Sequence, residues 1–315
     1  MSKNDDWQRE VIEKLAFATL TEQRSRRRWG NFFKLATLVV VCVGIWLAIG
    51  YSNPDLESIG THTALIEIDG AIESGGGSGA ADSVIPALNR AYADANAVGI
   101  ILRINSPGGS PVQAGMINDE MQRLRKAFPK KPLFAVVDEM CASGGYYIAA
   151  GADKIFVNKA SIVGSIGVLM DGFGFTGLMD KVGVERRLLT AGANKGFLDP
   201  FSPQSEQQKA YAQEMLKEIH QQFIAVVRQG RGARLKETPD MFTGLFWTGA
   251  KAVELGLADG FGTVSSVARS ELKAEDLIDY TQQEGLSERV LKKFGAAIGS
   301  GAFDSAVRST KSVLR

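Results

Sequence analysis

The chain has 315 residues, of which 45% are hydrophobic, and a formal net charge of +1 at pH 7. This length is enough for one sizeable globular domain with appendages. A nearly neutral chain gives no electrostatic reason to expect a nucleic-acid partner, and we predict none. The two cysteines, Cys42 and Cys141, are far apart in sequence. They indicate neither a disulfide framework nor a thiolate metal cluster. The sequence also contains no P-loop and no H-E-x-x-H motif, and we predict no metal and no cofactor.

The N-terminal part of the chain has the pattern of a membrane anchor. Residues 1–30 form a polar segment that ends in a basic run, and residues 31–51 are apolar with Lys34 as the single charge. About 20 apolar residues span a bilayer core. The five basic residues between Arg24 and Lys34 have no basic counterpart until Arg90, which places the N-terminus in the cytoplasm. A cleaved signal peptide ending near Ala48–Gly50 is the alternative.

A domain of alternating strands and helices is predicted after a polar linker at residues 52–62. It covers residues 63–270, and a charged, helical tail is expected at 271–315. The alternation predicts an α/β domain with a largely parallel sheet. Almost unbroken apolar runs predict that the sheet is covered on both faces. The main predicted strands are 64–68, 98–104, 133–137, 154–157 and 184–189, and the longest helix is 205–228, capped by Ser202 or Ser205.

Ser143 is the candidate nucleophile. The apolar run 133–137 ends at Asp138-Glu139, and a helix is predicted to open at Gly144. A serine between a strand and a helix, followed by two glycines, places its hydroxyl beside free backbone N–H groups, as acyl transfer requires. A simple helix N-cap is the alternative interpretation. Cys141 stands where a G-x-S-x-G elbow would have its first glycine, so the sequence does not match that motif.

The base that would activate Ser143 is less clear from the residues. His62 and His220 are the only histidines, and neither lies in the kind of Gly/Pro-rich loop that often presents catalytic groups. A Ser-His-Asp triad is therefore disfavoured, which leaves a lysine whose pKa is lowered by burial. Lys195 stands in the irregular, largely apolar stretch 190–203 with no acidic residue before Asp199. A solvated loop lysine remains the alternative.

Four motifs in order resemble one family. They are Ile104-Asn-Ser-Pro-Gly-Gly109, Ala142-Ser-Gly-Gly-Tyr-Tyr147, Gly164-Ser-Ile-Gly167 and Gly192-Ala-Asn-Lys195. Together they resemble the protease IV family of serine-lysine peptidases, to which signal peptide peptidase A belongs, in its short single-domain form. The resemblance covers about residues 63–262. One departure is Leu245, where such proteins usually carry arginine before a short helix.

The resemblance implies a Clp protease/crotonase-like domain behind one N-terminal transmembrane helix, in the bacterial inner membrane with the catalytic domain outside the cytoplasm. Its implied activity is degradation of remnant signal peptides and other apolar peptides after their release from preproteins. Among the residues of this chain, Ser143 corresponds to the nucleophile, Lys195 to the general base and Ser165 to the hydroxyl that orients the lysine. Backbone amides of the Gly108-Gly109 loop and of Gly144 are the expected oxyanion donors. The alternatives are a crotonase-like acyl-CoA hydratase or isomerase, and a non-catalytic membrane scaffold.

The stretch around Lys195 also suggests an oligomer. Phe197, Leu198 and Phe201 give it more apolar surface than a free loop would leave in water. We therefore expect the stretch to pack against another surface. The family resemblance implies a ring-shaped homo-oligomer, and head-to-tail contacts close into rings when the rotation permits. The prediction is that Lys195 of one protomer reaches Ser143 of the next.

Overall fold

The computed structural model describes residues 27–44, 60–75 and 77–282. The chain divides into two compact units, residues 1–59 and 60–315. In the first unit, residues 27–44 form helix α1. None of the helices in the described ranges has both the length and the apolar character needed to cross a bilayer. The predicted anchor at 31–51 continues into residues 45–51, which lie outside the described residues, as do linker residues 52–59.

The second unit alternates strands and helices over its described residues. The strands are β1 (His62–Asp69), β2 (Ala97–Ser106), β3 (Leu133–Ala142), β4 (Lys154–Val157), β5 (Ile162–Gly164), β6 (Phe246–Thr248), β7 (Gly260–Phe261) and β8 (Leu277–Asp279). The helices are α2 (Ala81–Ala93), α3 (Pro111–Ala127), α4 (Gly144–Ala149), α5 (Thr176–Val182), α6 (Glu206–Arg231), α7 (Gly249–Glu254) and α8 (Val264–Val267).

The strands form one sheet in the order β6-β5-β3-β2-β1-β8, and β4 and β7 branch from β3. Every pairing is parallel except that of β5 with β6. The predicted α/β class with a largely parallel sheet is therefore confirmed. β3 is the strand that organises the branch, because it pairs with β4 along residues 134–136 and with β5 along residues 140–142.

The core lies on both sides of the sheet, as its apolar strands predicted. The larger cluster packs α2, α3 and α4 over β1 to β3, and a smaller one places Val267 and Ala268 against Ile101, Phe134 and Val136 on the other face. Burying each such large side chain stabilises the fold by about 1.5–3 kcal/mol. The second face is not apolar throughout. Towards the carboxyl ends of the strands it carries a polar network of Glu67, Arg103 and Asp138.

Three predicted elements differ from the structure. β3 does not stop at 137 but continues to Ala142, because β5 provides a new pairing partner beyond Asp138-Glu139. The strand predicted at 184–189 is wrong, since these residues have no regular structure and are exposed. The helical tail predicted from 271 is wrong for residues 277–279, which form β8 along the open edge of β1. Residues 283–315 lie outside the described part of the chain.

Candidate active site

Ser143 occupies a strained turn between β3 and α4. Its backbone dihedrals are φ 50° and ψ −121°, a region that residues other than glycine seldom adopt and that tends to mark functional sites. The Ser143 N–H donates to the Gly164 carbonyl at 2.8 Å, and the Ser143 carbonyl accepts from Tyr147 at 2.9 Å. Its side chain makes no capping hydrogen bond to any described residue. The simple N-cap interpretation is therefore not supported, and the half-buried hydroxyl is available for chemistry.

Buried contacts hold α4, the helix that follows Ser143, in place. Tyr146 is fully buried, and its hydroxyl donates to the Leu257 carbonyl at 2.8 Å. Cys141, just before the turn, is buried as well, and burial raises the pKa of its thiol, which keeps the thiol protonated and unreactive. Cys141 is thus a small apolar core residue. These contacts hold Ser143 in its turn without using its side chain.

The Gly108-Gly109 loop lies directly against Ser143. Both glycines have positive φ, 102° and 150°, and neither has room for a side chain. A Cβ on Gly108 would lie 2.6 Å from the Ser143 Cβ, and one on Gly109 would lie 2.2 Å from the Ile72 carbonyl oxygen. Ile72 fastens the loop on its other side. Its N–H donates to the Gly108 carbonyl at 2.9 Å, and its carbonyl accepts from Ser110 at 2.7 Å.

Three glycine amides lie at or against the turn that holds Ser143, and they differ in what they bind. The Gly108 N–H donates to the Ser106 hydroxyl at 3.1 Å. The amides of Gly109 and Gly144 donate to no other group among the described residues. A Cβ built on Gly144 would lie 3.3 Å from the Gly109 nitrogen, so the two free amides are neighbours. Two unpaired donors beside a serine can stabilise the oxyanion of a tetrahedral intermediate.

Ser165 follows β5, and β5 pairs with β3, the strand that precedes Ser143. Ala142 pairs with Gly164 in the sheet, so the two serines continue from neighbouring strand ends. Ser165 also has a positive φ, 51°. Its N–H donates to the Leu245 carbonyl at 2.8 Å. Because this bond uses the Leu245 backbone, leucine in place of the family's usual arginine leaves it intact.

Five of the six candidate site residues line one cleft of about 640 Å³, namely Gly108, Gly109, Ser143, Gly144 and Ser165. Much of the remaining wall is apolar. It includes Tyr147, Val168, Leu169, Ile219 and Phe223. A concave, largely apolar cleft with a few convergent polar groups is typical of a ligand-binding site.

Lys195 is the candidate that the single chain does not bring to this cleft. It is not among the residues that line the cleft, and its side chain is exposed. Of the apolar residues expected to be exposed beside it, Phe201 is 42% exposed. Phe197 and Leu198 are half-buried within their own chain, where the Phe197 ring packs on Tyr211 with centroids 5.6 Å apart.

Neither histidine lines the cleft of the described chain. The His62 ring is buried and contacts the Tyr280 hydroxyl at 3.1 Å. His220 donates from Nε2 to the Ile166 carbonyl at 3.1 Å, and so ties α6 to the segment after Ser165. No cluster of His, Cys, Asp or Glu suited to a metal ion occurs in the described ranges.

Sequence reasoning missed two residues that shape the loop, Ser106 and Ile72. The spacing of Ser106 and Gly108 is that of a turn in which a serine hydroxyl accepts the N–H two residues on, so this contact could have been found. No sequence signal singles out Ile72, since an apolar residue after the Asp69-Gly70 turn has the pattern of an ordinary core residue.

Together these features define an α/β protein with a serine at a strand-to-helix turn beside two free backbone amides. Residues 125–277 match the model of peptidase family S49. The chain belongs to this family. The relationship expected from the four motifs is therefore confirmed at the level of the family.

Relatives with assigned names share a large part of the chain. An Enterococcus faecium protein named signal peptide peptidase SppA is 34% identical over 194 residues, which are 62% of this chain and 56% of that protein. A Synechocystis sp. protein named as a protease is 32% identical, over 64% of this chain and 69% of that protein. A Brucella abortus protein named Na(+)/H(+) antiporter NhaA is 40% identical over 78% of this chain. The chain spans 34% of that last protein, so it matches between about a third and about two thirds of these relatives' lengths.

Proposed function

We propose that this S49 family chain is a serine endopeptidase with a Clp protease/crotonase-like fold, in which Ser143 is the nucleophile and Lys195 the general base. Ser165 orients the lysine amine, and the Gly108-Gly109 loop together with Gly144 forms the oxyanion pocket. One observation carries the proposal. The Ser143 side chain makes no capping hydrogen bond, and Ser143 is held in a strained turn beside two backbone amides that have no acceptor in the described chain. No cofactor enters the proposed reaction.

The proposed reaction is acyl transfer in two halves. The Ser143 oxygen attacks the scissile carbonyl carbon while its proton passes to the neutral amine of Lys195. The carbonyl oxygen becomes an oxyanion, which accepts hydrogen bonds from the free amides of Gly109 and Gly144. Collapse of this intermediate breaks the peptide C–N bond, and the lysine ammonium donates its proton to the leaving amine. Water, deprotonated by the same lysine, then hydrolyses the acyl-enzyme and releases Ser143.

The base is proposed to come from a neighbouring protomer in a ring-shaped homo-oligomer. Burial favours the neutral form of an amine, which is the form that accepts a proton, and Lys195 is exposed in the single chain. Residues 165–205, the segment between β5 and α6 that contains Lys195, include strongly exposed apolar side chains, such as Phe173 at 79% and Leu189 at 96%. Exposed apolar surface of this extent favours a protein partner. A second copy of the chain would cover it and deliver Lys195 to Ser143.

The proposed substrates are cleaved signal peptides and other apolar peptides. The apolar wall of the cleft, which includes Val168, Ile219 and Phe223, suits extended apolar side chains. The name of the Enterococcus faecium relative supports the same class of substrate. Membership of a peptidase family favours this reaction over the acyl-CoA chemistry that we considered as the alternative.

The proposed location is the bacterial inner membrane, with a single anchor at residues 31–51 and the catalytic domain outside the cytoplasm. The support is the asymmetric charge around the apolar segment, with basic residues before it and none directly after it. Protease treatment of spheroplasts checks this topology. We expect degradation of the domain after residue 60 while the N-terminus stays protected, and protection of the whole chain would overturn it.

A complementation experiment tests the proposed site. We expect Ser143→Ala and Lys195→Ala proteins to be folded but inactive on a fluorogenic apolar peptide, since each removes a step of acyl transfer. The two inactive proteins are then mixed under conditions that let protomers exchange. A shared site predicts recovered activity, because some neighbours combine an intact Ser143 with an intact Lys195.

Two controls define the outcomes of that mixture. A Ser143→Ala/Lys195→Ala double variant mixed with either single variant leaves at most one intact partner type, so it should recover nothing. Subunit exchange is followed by energy transfer between dyes on the two preparations. If exchange occurs without recovery, the dyad lies within one chain. If Lys195→Ala alone is fully active, Lys195 has no role in the reaction.

A further inference from the structure

Ser106 is a buried polar residue at the carboxyl end of β2, and the proposed reaction gives it no role. Its side chain is fully buried. Its backbone pairs with Cys141 across the sheet, two residues before Ser143. Its hydroxyl accepts the Gly108 N–H at 3.1 Å. The residue therefore connects β2 to the loop that lies against the nucleophile.

The hydroxyl of Ser106 binds one of the two glycine amides of the loop. Because the Gly108 N–H is taken by Ser106, the Gly109 N–H is the loop donor that stays unpaired among the described residues. Ile72 holds the other edge of the loop through the Gly108 carbonyl and the Ser110 N–H. The loop is thus fastened from two sides. Ile72 holds the peptide group that carries the free Gly109 N–H, through its carbonyl oxygen, and Ser106 holds the preceding peptide group, through the Gly108 N–H.

We propose that Ser106 is a positioning residue of the oxyanion pocket. Its hydroxyl sets the turn formed by Pro107, Gly108 and Gly109, so that the Gly109 amide meets the oxyanion together with that of Gly144. The inference rests on the proposed acyl-transfer function and deepens it. Without the hydroxyl, the Gly108 amide loses its acceptor, and the turn is held only by its hydrogen bonds to Ile72. The oxyanion is bound only after attack, so the loss should appear in the chemical step and not in substrate binding.

A purely structural role is the competing explanation. Ser106 also packs beneath the first turn of α4, where a Cβ on Gly145 would lie 3.4 Å from the Ser106 Cβ. A residue that only fills this space would disturb Ser143 and the whole cleft together. Substrate binding and catalysis would then weaken in parallel, which gives the experiment its contrast.

The test compares a peptide aldehyde with the peptide alcohol of the same sequence. Ser143 adds to the aldehyde carbon, the C=O double bond becomes a single bond, and the serine proton ends on the former carbonyl oxygen, which occupies the oxyanion pocket. The alcohol binds the same cleft but forms no adduct. For Ser106→Ala we expect the aldehyde to bind at least about tenfold more weakly, since loss of one oxyanion donor lowers kcat by about 10²–10³. The alcohol affinity and KM should stay within twofold, and kcat should fall with the aldehyde affinity.

Ser161→Ala is the matched control. Ser161 is also a buried serine, and its hydroxyl accepts from Asn158 and donates to the Asp138 carbonyl, away from the loop. It should change neither affinity. If Ser106→Ala does not fold, Ser106→Cys keeps the volume and replaces the oxygen by a weak acceptor, and it should show the same selective loss.

Each remaining outcome is decisive. Equal weakening of aldehyde and alcohol, or no weakening of either, would overturn the positioning role and leave Ser106 as a packing residue. If the unsubstituted protein binds the aldehyde no more tightly than the alcohol, the proposed acyl-transfer function fails, and the inference fails with it. That result is distinguished from the first because it appears before any substitution is made.

Discussion

The two parts of the proposed site are held by the chain in different ways. Ser143 is fixed by backbone bonds on both sides, by a buried helix behind it and by a glycine loop that fits against its Cβ. Lys195 lies in a segment whose apolar side chains are largely exposed, with Leu189 at 96%. The difference teaches that the nucleophile and the oxyanion donors are arranged within one chain. The proposed base, Lys195, is not brought to them by the single chain.

The largest effect on activity is expected from a substitution that crowds the glycine loop beside Ser143. Gly109→Ala would place a methyl group 2.2 Å from the Ile72 carbonyl oxygen and strain a backbone with φ 150°. We expect peptide hydrolysis and sulfonylation of Ser143 by a sulfonyl fluoride to fall by at least about 100-fold, as when an oxyanion donor is lost. Mass spectrometry of the labelled serine and a peptidase assay measure both.

Gly115→Ala is the matched control for that substitution. Gly115 lies in α3, and a Cβ there would meet nothing within 4 Å. Alanine should leave both rates unchanged and stabilise the helix by up to about 1 kcal/mol. Full activity in Gly109→Ala would show that the loop is not part of the fixed site.

A second prediction concerns the ion pair that fixes the end of α6. The Asp259 carboxylate accepts from Arg231, which is 1% exposed, at 2.8 Å, from Arg234 at 3.0 Å and from the Ile155 N–H at 2.7 Å. Asp259→Asn would leave the Arg231 charge buried without its counterion. We expect the free energy of unfolding, measured in urea at pH 7, to fall by about 3 kcal/mol.

The same carboxylate gives this prediction a pH dependence. Burial by itself raises the pKa of Asp259, but the bonds from Arg231 and Ile155 and the nearby Arg234 outweigh it and lower the pKa. Its contribution is therefore fully present above the unfolded-state pKa of about 3.9 and is lost as pH falls through the lowered folded-state pKa. The gap between wild type and Asp259→Asn should close in acid. A constant gap down to about pH 2, below the unfolded-state pKa, would contradict the assignment.

The smallest effect on folding is expected in the exposed part. Phe173→Ser with Leu189→Ser changes two side chains that are 79% and 96% exposed in the single chain. Thermal unfolding of the monomer should not change, whereas self-association, measured by sedimentation velocity, and peptide hydrolysis should both decrease. Phe261→Ser, at a site 51% exposed on β7, should leave association intact. Unchanged association in the double variant would mean that this surface does not bind a second copy.

The sequence was informative where local patterns determine the structure. The strand predicted at 154–157 has the observed bounds, and Ser205 caps α6 with a reciprocal bond to Gln208. The motif residues Ser143, Ser165 and the glycines all line one cleft. The strand predicted at 184–189 failed because periodicity measures apolar character and does not reveal whether a neighbouring strand exists to pair with it.

Other features depend on long-range contacts that no local pattern encodes. β3 continues past two carboxylates because β5, from a later part of the chain, pairs with it. β8 adds to the edge of β1 from the far end of the domain sequence, as in the pairing of Thr63 with Leu277. The shared dyad and the anchor stay predictions, since they concern a second protomer and residues outside the described ranges.

The direction of β1 also determines at which end of the sheet a label or a fused protein would lie. β1 begins at the amino ends of the parallel strands, whereas Ser143 follows the carboxyl end of β3. The eight residues of β1 separate these two ends of the sheet by roughly 25 Å. β8 runs parallel to β1, and residues 280–281 continue along β1 towards the carboxyl ends of the strands, where Ser143 lies. A label or fused protein joined at Gly60 would therefore leave the mouth of the cleft open. One joined after residue 282 would start nearer the end of the sheet at which Ser143 lies.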